Sequence, residues 1–143
     1  MTHCAGYRGA AVARISDLAA IGIDAEENRA LPTDIADSIA SPTEWDHLDK
    51  LPIGEHWDTL LFSAKESIFK LWFQWTSEPL GFRSTSVAFV PSATSHRFGD
   101  ISAHVEGPSV IPGSHELRGK YKIRGGLVLT AFSIDGSKRA REI

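Results

Sequence analysis

The sequence predicts an α+β fold in which an antiparallel sheet packs against one long helix. Three observations support this class: strand-like segments come first, helical patterns follow, and strand-like segments return at the end of the chain. Gly125 and Gly126 separate the last two strand patterns, as expected at a tight hairpin turn where glycine supplies positive φ. The 143 residues, 42% of them hydrophobic, are enough for a single globular core.

The strand predictions come from short runs of β-branched and small residues. Residues 7–15 and 18–25 predict two strands joined by a hairpin turn at Ser16 and Asp17. Beyond the helices, four further strands are predicted over residues 84–90, 99–106, 117–124 and 127–134. Residues 92–97 and 107–115 read as surface loops, and the basic residues 138–141 as a solvated tail.

Helix starts and stops define the middle of the chain. Ser41, Pro42 and Glu44 match a capping box, with an N-cap serine, a proline at the first helical position and a glutamate at the third. A short helix over residues 32–40 precedes it, and a long helix is predicted over residues 56–76.

The long helix has two unlike faces when its residues are placed at about 100° per position. Its core stripe consists of Leu60, Leu61, Ala64, Ile68, Leu71, Trp72 and Trp75. Glu66 and Lys70 lie nearly opposite, where an i,i+4 ion pair on a solvated face is the usual explanation. Three phenylalanines flank that pair, so we expect a ligand, another layer or both to cover this side. They are Phe62, Phe69 and Phe73.

Charge and composition exclude several classes of protein. The net charge of −3 gives no basic footprint for nucleic acid. No apolar run approaches the roughly 20 residues of a membrane span. The single Cys4 rules out an internal disulfide and fits a reducing compartment. We therefore expect a soluble, cytoplasmic protein with neither a nucleic-acid nor a membrane partner.

Asp24 and Glu26 are the first candidate site residues. Their spacing of two points both carboxylates to the same side of a strand, which is unfavourable unless a cation lies between them. The simpler interpretation is a strand end that runs into the polar residues 27–29, and the pair alone favours it. Together with Glu66 the pair supplies a suitable number of carboxylates for magnesium.

Other catalytic signatures are not found in the sequence. It contains no G-x-S-x-G, P-loop or G-x-G-x-x-G pattern, which disfavours serine hydrolase, NTPase and dinucleotide readings. His3 has no second histidine or cysteine at metal-ligand spacing, which disfavours zinc.

The motif on the long helix is more specific. Phe62, Lys65, Glu66 and Lys70 follow an order of aromatic, two residues, Lys-Glu, three residues and Lys. With Asp24-Ala25-Glu26 and the segment 2–8, this order resembles the 4'-phosphopantetheinyl transferases, specifically the large surfactin/enterobactin-synthase type. Residues 72–82 and 117–131 extend the resemblance to its actinobacterial branch. The resemblance covers the C-terminal half of that type over residues 1–143 and leaves its N-terminal half without a counterpart. A truncation, or an internal methionine taken as the start, is our interpretation.

The resemblance implies a fold, a reaction and a set of roles. The fold would be one half of a pseudo-two-fold transferase with coenzyme A between the halves. The reaction would move 4'-phosphopantetheine from coenzyme A to a serine of an apo acyl or peptidyl carrier protein, with Mg²⁺ as cofactor. The implied metal residues are Asp24, Glu26 and Glu66; the implied catalytic residues are Glu66 and Lys70; the implied phosphate contacts are Thr2, His3, Lys65 and Lys70.

Two questions stay open at the level of sequence. Lys65 is either a phosphate ligand, which we favour slightly, or a solvated lysine. The chain is either catalytic or a non-catalytic remnant that binds a carrier protein, and the pathway of that carrier is not specified. An uncovered phenylalanine stripe further predicts self-association through the exposed helix face.

Overall fold

A computed structural model describes residues 1–106 and 116–137 of the chain. The loop predicted over residues 107–115 and the tail predicted over residues 138–141 lie outside the described residues. The strands are β1 Thr2–Cys4, β2 Tyr7–Gly9, β3 Leu18–Glu27, β4 Thr85–Pro91, β5 Phe98–Val105, β6 Glu116–Arg124 and β7 Leu127–Asp135. The helices are α1 Thr33–Ile39, α2 Pro42–Leu48 and α3 Trp57–Thr76, followed by a short 3-10 turn over Phe82–Ser84.

The main sheet has five antiparallel strands in the order β3-β7-β6-β5-β4. β1 and β2 form a separate two-stranded hairpin. α3 packs against β3 and β7 of the main sheet, α2 contacts β4 and α1 contacts α3, so the predicted α+β class is confirmed.

The turn predictions had different outcomes. Gly125 and Gly126 join β6 to β7 with φ of 59° and 75°, as predicted. The hairpin predicted at Ser16 and Asp17 is wrong, because β2 pairs with β1 across a turn at Ala5 and Gly6.

β3, the first strand of the main sheet, pairs with a strand that is distant in the sequence. β3 pairs with β7, placing Asp24 opposite Thr130 and Glu26 opposite Val128. Local turn signals cannot distinguish a neighbouring partner from one about a hundred residues away, which explains the error.

α1 covers nearly the predicted residues 32–40, and α2 begins at the predicted capping box. The capping box of α2 is present: Glu44 N–H donates to Ser41 Oγ at 3.2 Å, and Ser41 N–H donates to Glu44 Oε2 at 2.9 Å. None of the described helices is long and apolar enough to span a membrane.

The core lies between α3 and the sheet. The predicted core stripe of α3 is buried, except that Trp75 is only partly buried. On the other side, Phe62 is covered because its ring stacks on Phe82 with the centroids 5.7 Å apart. Phe69 and Phe73 stack on each other and stay 37% and 51% exposed, so the predicted cover is found only at Phe62.

Candidate active site

Side chains cap the edge of β3 that carries the acidic residues. The N–H of Ile21 donates to Gln74 Oε1 at 2.8 Å, and the N–H of Ala25 donates to Thr2 Oγ1 at 3.0 Å. Between them, Lys70 Nζ donates to the carbonyl of Ile23 at 3.1 Å. An edge strand normally leaves such groups unpaired. These contacts fix the strand against α3 and the β1–β2 hairpin.

Asp24 is the centre of the site. It is 5% exposed, and its Oδ1 accepts from Lys70 Nζ at 2.7 Å and from Thr2 Oγ1 at 3.3 Å. Its Oδ2 is buried and has no hydrogen-bond partner among the described residues. A buried carboxylate oxygen without a donor is costly, so this atom is suited to receive a cation or a proton.

Glu26 and Glu66 share the electrostatic field of Asp24. Burial, followed by the negative charges of Asp24 and Glu66, raises the pKa of Glu26 to about 7, against the opposing effect of Lys70. Burial and then the charge of Asp24 raise the pKa of Glu66, again opposed by Lys70. Each of these two glutamates therefore keeps its proton to a higher pH than an exposed glutamate does.

The three acidic side chains are the type of ligand that a hard divalent cation binds, but they do not form a complete coordination site. Within residues 1–106 and 116–137, no three His, Cys, Asp or Glu side chains are grouped closely enough to hold a metal ion. Carboxylate oxygens are nevertheless the ligands magnesium prefers, and it usually takes only one or two from protein, with phosphates and water completing the shell. The unpaired Asp24 Oδ2 is one carboxylate oxygen that no protein group uses among the described residues.

Lys65 is not placed to bind phosphate, which corrects the preference stated above. Its side chain is 1% exposed, and its ammonium forms an ion pair with Glu44 at 2.9 Å. It also donates to the carbonyl oxygens of Ile39 at 2.6 Å and Phe82 at 2.8 Å. The three donors of a lysine are thereby used. Helical spacing placed Lys65 next to Glu66 but could not reveal a partner on α2.

The structure separates the roles of Thr2 and His3. Thr2 is buried, and its hydroxyl donates to Asp24 while accepting from Ala25, so it orients the strand rather than standing free for a phosphate. His3 is exposed on β1, in register with Arg8. No observation tests its predicted contact with phosphate.

The sequence did not reveal the role of Gln74 or a pocket beside Glu66. Gln74 lies one turn after Lys70 on the same helix face, so the helical period could have identified it. The pocket, of about 250 Å³, opens beside Glu66. It is lined by Lys65, Glu66, Phe69, Leu80, Gly81, Phe82 and Thr85. The pocket lies between α3 and the 3-10 turn, and no sequence pattern predicts that these two segments are neighbours.

The two glutamates should make the chain less stable as the pH rises from about 4.5 to about 7. In this window the folded chain holds a proton on Glu26 that the unfolded chain has released, so the free energy of unfolding falls with pH. The raised pKa of Glu66 acts in the same direction. Denaturant unfolding at several pH values, compared with Glu26→Gln, measures this slope. Identical slopes for the two proteins would contradict the assignment.

Hard oxygen donors, an adjacent lysine and a neighbouring pocket define a candidate site for metal-assisted phosphoryl chemistry. Residues 20–109 match the family described as the 4'-phosphopantetheinyl transferase superfamily, and the chain belongs to that family. The matched region includes the acidic pair on β3 and all of α3.

Three curated relatives cover nearly all of the chain. The 4'-phosphopantetheinyl transferase Svp of Streptomyces mobaraensis is 41% identical over 140 residues, or 94% of this chain and 55% of that protein. PptT of Mycobacterium tuberculosis is 39% identical over 135 residues, or 92% and 60%. Npt of Nocardia iowensis is 36% identical over 141 residues, or 93% and 63%. The chain thus spans between about half and two thirds of the length of these relatives.

Proposed function

We propose that this chain carries the site at which 4'-phosphopantetheine is transferred from coenzyme A to a serine of an apo acyl or peptidyl carrier protein, with magnesium as cofactor. The observation that carries the proposal is Asp24, a buried carboxylate with one oxygen on Lys70 and the other unpaired. All three relatives are named as 4'-phosphopantetheinyl transferases, which supports the reaction.

In this proposal the charged groups divide the work. Asp24, Glu26 and Glu66 would hold a magnesium ion, which when bound would neutralise charge on the pyrophosphate of coenzyme A. Lys70 is partly exposed, with 31% of its side chain accessible, so its ammonium can approach a phosphate while it contacts Asp24. A cation fixed beside a developing negative charge stabilises the transition state.

Glu66 is the proposed base. Its raised pKa makes it a better proton acceptor than an ordinary carboxylate. It would take the proton of the acceptor serine as the serine oxygen forms its bond to phosphorus. The bond from phosphorus to the departing 3',5'-ADP breaks in the same transfer, which balances the reaction.

The pocket beside Glu66 suits the uncharged part of a substrate. Phe69, Leu80 and Phe82 supply an apolar lining, and the ammonium of Lys65 is taken up by protein groups. A flexible pantetheine arm matches such a lining better than an anionic nucleotide would.

We further propose that the chain corresponds to the catalytic C-terminal half of the large surfactin/enterobactin-synthase type, in its actinobacterial branch. Relatives from Streptomyces, Mycobacterium and Nocardia support the branch, and their greater length supports a two-part architecture.

A transfer assay tests the function directly. The chain is incubated with an apo carrier protein, coenzyme A and Mg²⁺, and the carrier is then weighed by mass spectrometry. Gain of one phosphopantetheine, lost on chelation of the metal, is the expected result. Binding of the carrier without a mass gain would instead support a carrier-binding module.

The stacked Phe69 and Phe73 should cause the chain to self-associate. These rings form an apolar surface that nothing in the described residues covers. Light scattering should show concentration-dependent assembly that Phe69→Ser with Phe73→Ser abolishes. Val90→Ser is the matched control, since Val90 is 55% exposed on a different surface. A concentration-independent monomer would exclude this role for the two rings.

A further inference from the structure

Gly22 lies at a close approach between β3 and α3. A Cβ at this position would be 1.9 Å from the carbonyl oxygen of Ser67, 2.9 Å from Leu71 N and 3.0 Å from Leu71 Cβ. Gly22 is not among the glycines with positive φ, so residues with a side chain can adopt its backbone conformation. Space, rather than conformation, therefore requires glycine here, and the obstructing atom belongs to the backbone of α3.

Short hydroxyl side chains continue the same close contact along α3 and β7. Ser67 Oγ lies 2.6 Å from Thr130 Oγ1, and Ser63 Oγ lies 2.9 Å from the same atom. Thr130 Oγ1 donates in turn to the carbonyl of Ser63 at 2.9 Å. All three residues are buried. Their hydroxyls satisfy one another, so the helix can sit close to the sheet without leaving a buried polar group unpaired.

The charged site straddles this contact. Asp24 follows Gly22 by two residues on the same face of the strand, directly opposite Thr130. On the helix, Glu66 precedes Ser67, and Lys70 reaches Asp24 at 2.7 Å. A small outward movement of α3 would therefore separate the strand's acids from the helix's charges.

We propose that Gly22 is a positioning residue: its missing side chain, together with the small Ser67, sets the distance between β3 and α3 and thereby the positions of Lys70 and Glu66 relative to Asp24. The part that concerns metal binding rests on the proposed function; the part that concerns the Lys70–Asp24 contact does not.

Gly22→Ala is the test, with Gly99→Ala as its matched control. A Cβ at Gly99 would be 2.4 Å from the carbonyl oxygen of Val90, so it creates a comparable backbone clash, but between β4 and β5. In each background, a double-mutant cycle with Lys70→Met and Asp24→Asn measures the coupling between that pair by denaturant unfolding. Electron paramagnetic resonance of Mn²⁺ measures divalent-ion binding without any reaction.

The coupling should be lost in Gly22→Ala and retained in Gly99→Ala. The Mn²⁺ dissociation constant should rise by about tenfold or more in Gly22→Ala alone, as expected when a support of metal ligands is disturbed. If Gly22→Ala does not fold, Ser67→Thr, which adds one methyl group at the same contact, takes its place in the cycle.

The possible results test the positioning role of Gly22 and the proposed metal-dependent function separately. Retained coupling and unchanged Mn²⁺ affinity in folded Gly22→Ala would overturn the positioning role. Equal losses in Gly99→Ala would overturn it too, because they would show a general effect of destabilisation. Loss of coupling in Gly22→Ala, with no Mn²⁺ binding by the unmodified chain, would support the positioning role and count against the proposed metal-dependent function.

Discussion

Asp24→Asn should lower the rate of phosphopantetheinyl transfer by roughly 10²- to 10³-fold, the usual size when one preorganised electrostatic contact is removed. The substitution keeps the shape of the side chain but removes its charge. One of the two carboxylate oxygens, either Oδ1 or the unpaired Oδ2, becomes an amide NH2 group. Stability should change by only about 1 kcal/mol or less, since Lys70 is partly exposed and solvent screens the lost ion pair.

Asp100→Asn is the matched control. Asp100 also pairs with a lysine, Lys120, but on the exposed surface of the sheet. Its replacement should leave the rate unchanged. A second signature belongs to Asp24 alone: the pKa of Glu26 should fall from about 7, since the charge of Asp24 adds to the effect of burial in raising it. An Asp24→Asn variant with normal rate and normal Glu26 titration would remove Asp24 from the site.

Sequence reading succeeded where the signal is local. The capping box at Ser41 and Glu44, the glycines of the last hairpin and the core stripe of α3 each depend on spacing within a few residues. Such patterns follow directly from the helix and strand periods. The grouping of Asp24, Glu26 and Glu66 around one metal ion stays a prediction, since no three such side chains among the described residues lie close enough together to hold one.

Sequence reading failed where the partner is distant along the chain. β3 pairs with β7, and no turn residue near Ser16 could have shown it. Thr2 and Lys65 were both expected at a phosphate, but their partners are Asp24 and Glu44, each about twenty residues away. A buried polar side chain requires a hydrogen-bond partner, but the sequence alone does not identify which residue that partner is.

Lys65→Met should destabilise the chain by about 3–5 kcal/mol, because it leaves the buried charge of Glu44 without its partner. Glu44 is 3% exposed, and Lys65 is its only cationic partner among the described residues. The carbonyls of Ile39 and Phe82 lose their donor in the same step. Methionine is close in length to lysine, so little volume is lost and the cost reports mainly on charge and hydrogen bonds.

Denaturant unfolding of three variants measures this cost and its origin. Lys120→Met, at an ion pair whose side chains are 80% and 60% exposed, should change stability by about 0.5 kcal/mol or less. The double variant Lys65→Met with Glu44→Gln should recover part of the loss, since a neutral amide replaces the unpaired carboxylate and can still accept from the N–H of Val87. Suppose instead that Lys65→Met unfolds like the unmodified chain but abolishes transfer. Lys65 would then act on a phosphate after all, which would require its ammonium to leave Glu44 when substrate binds.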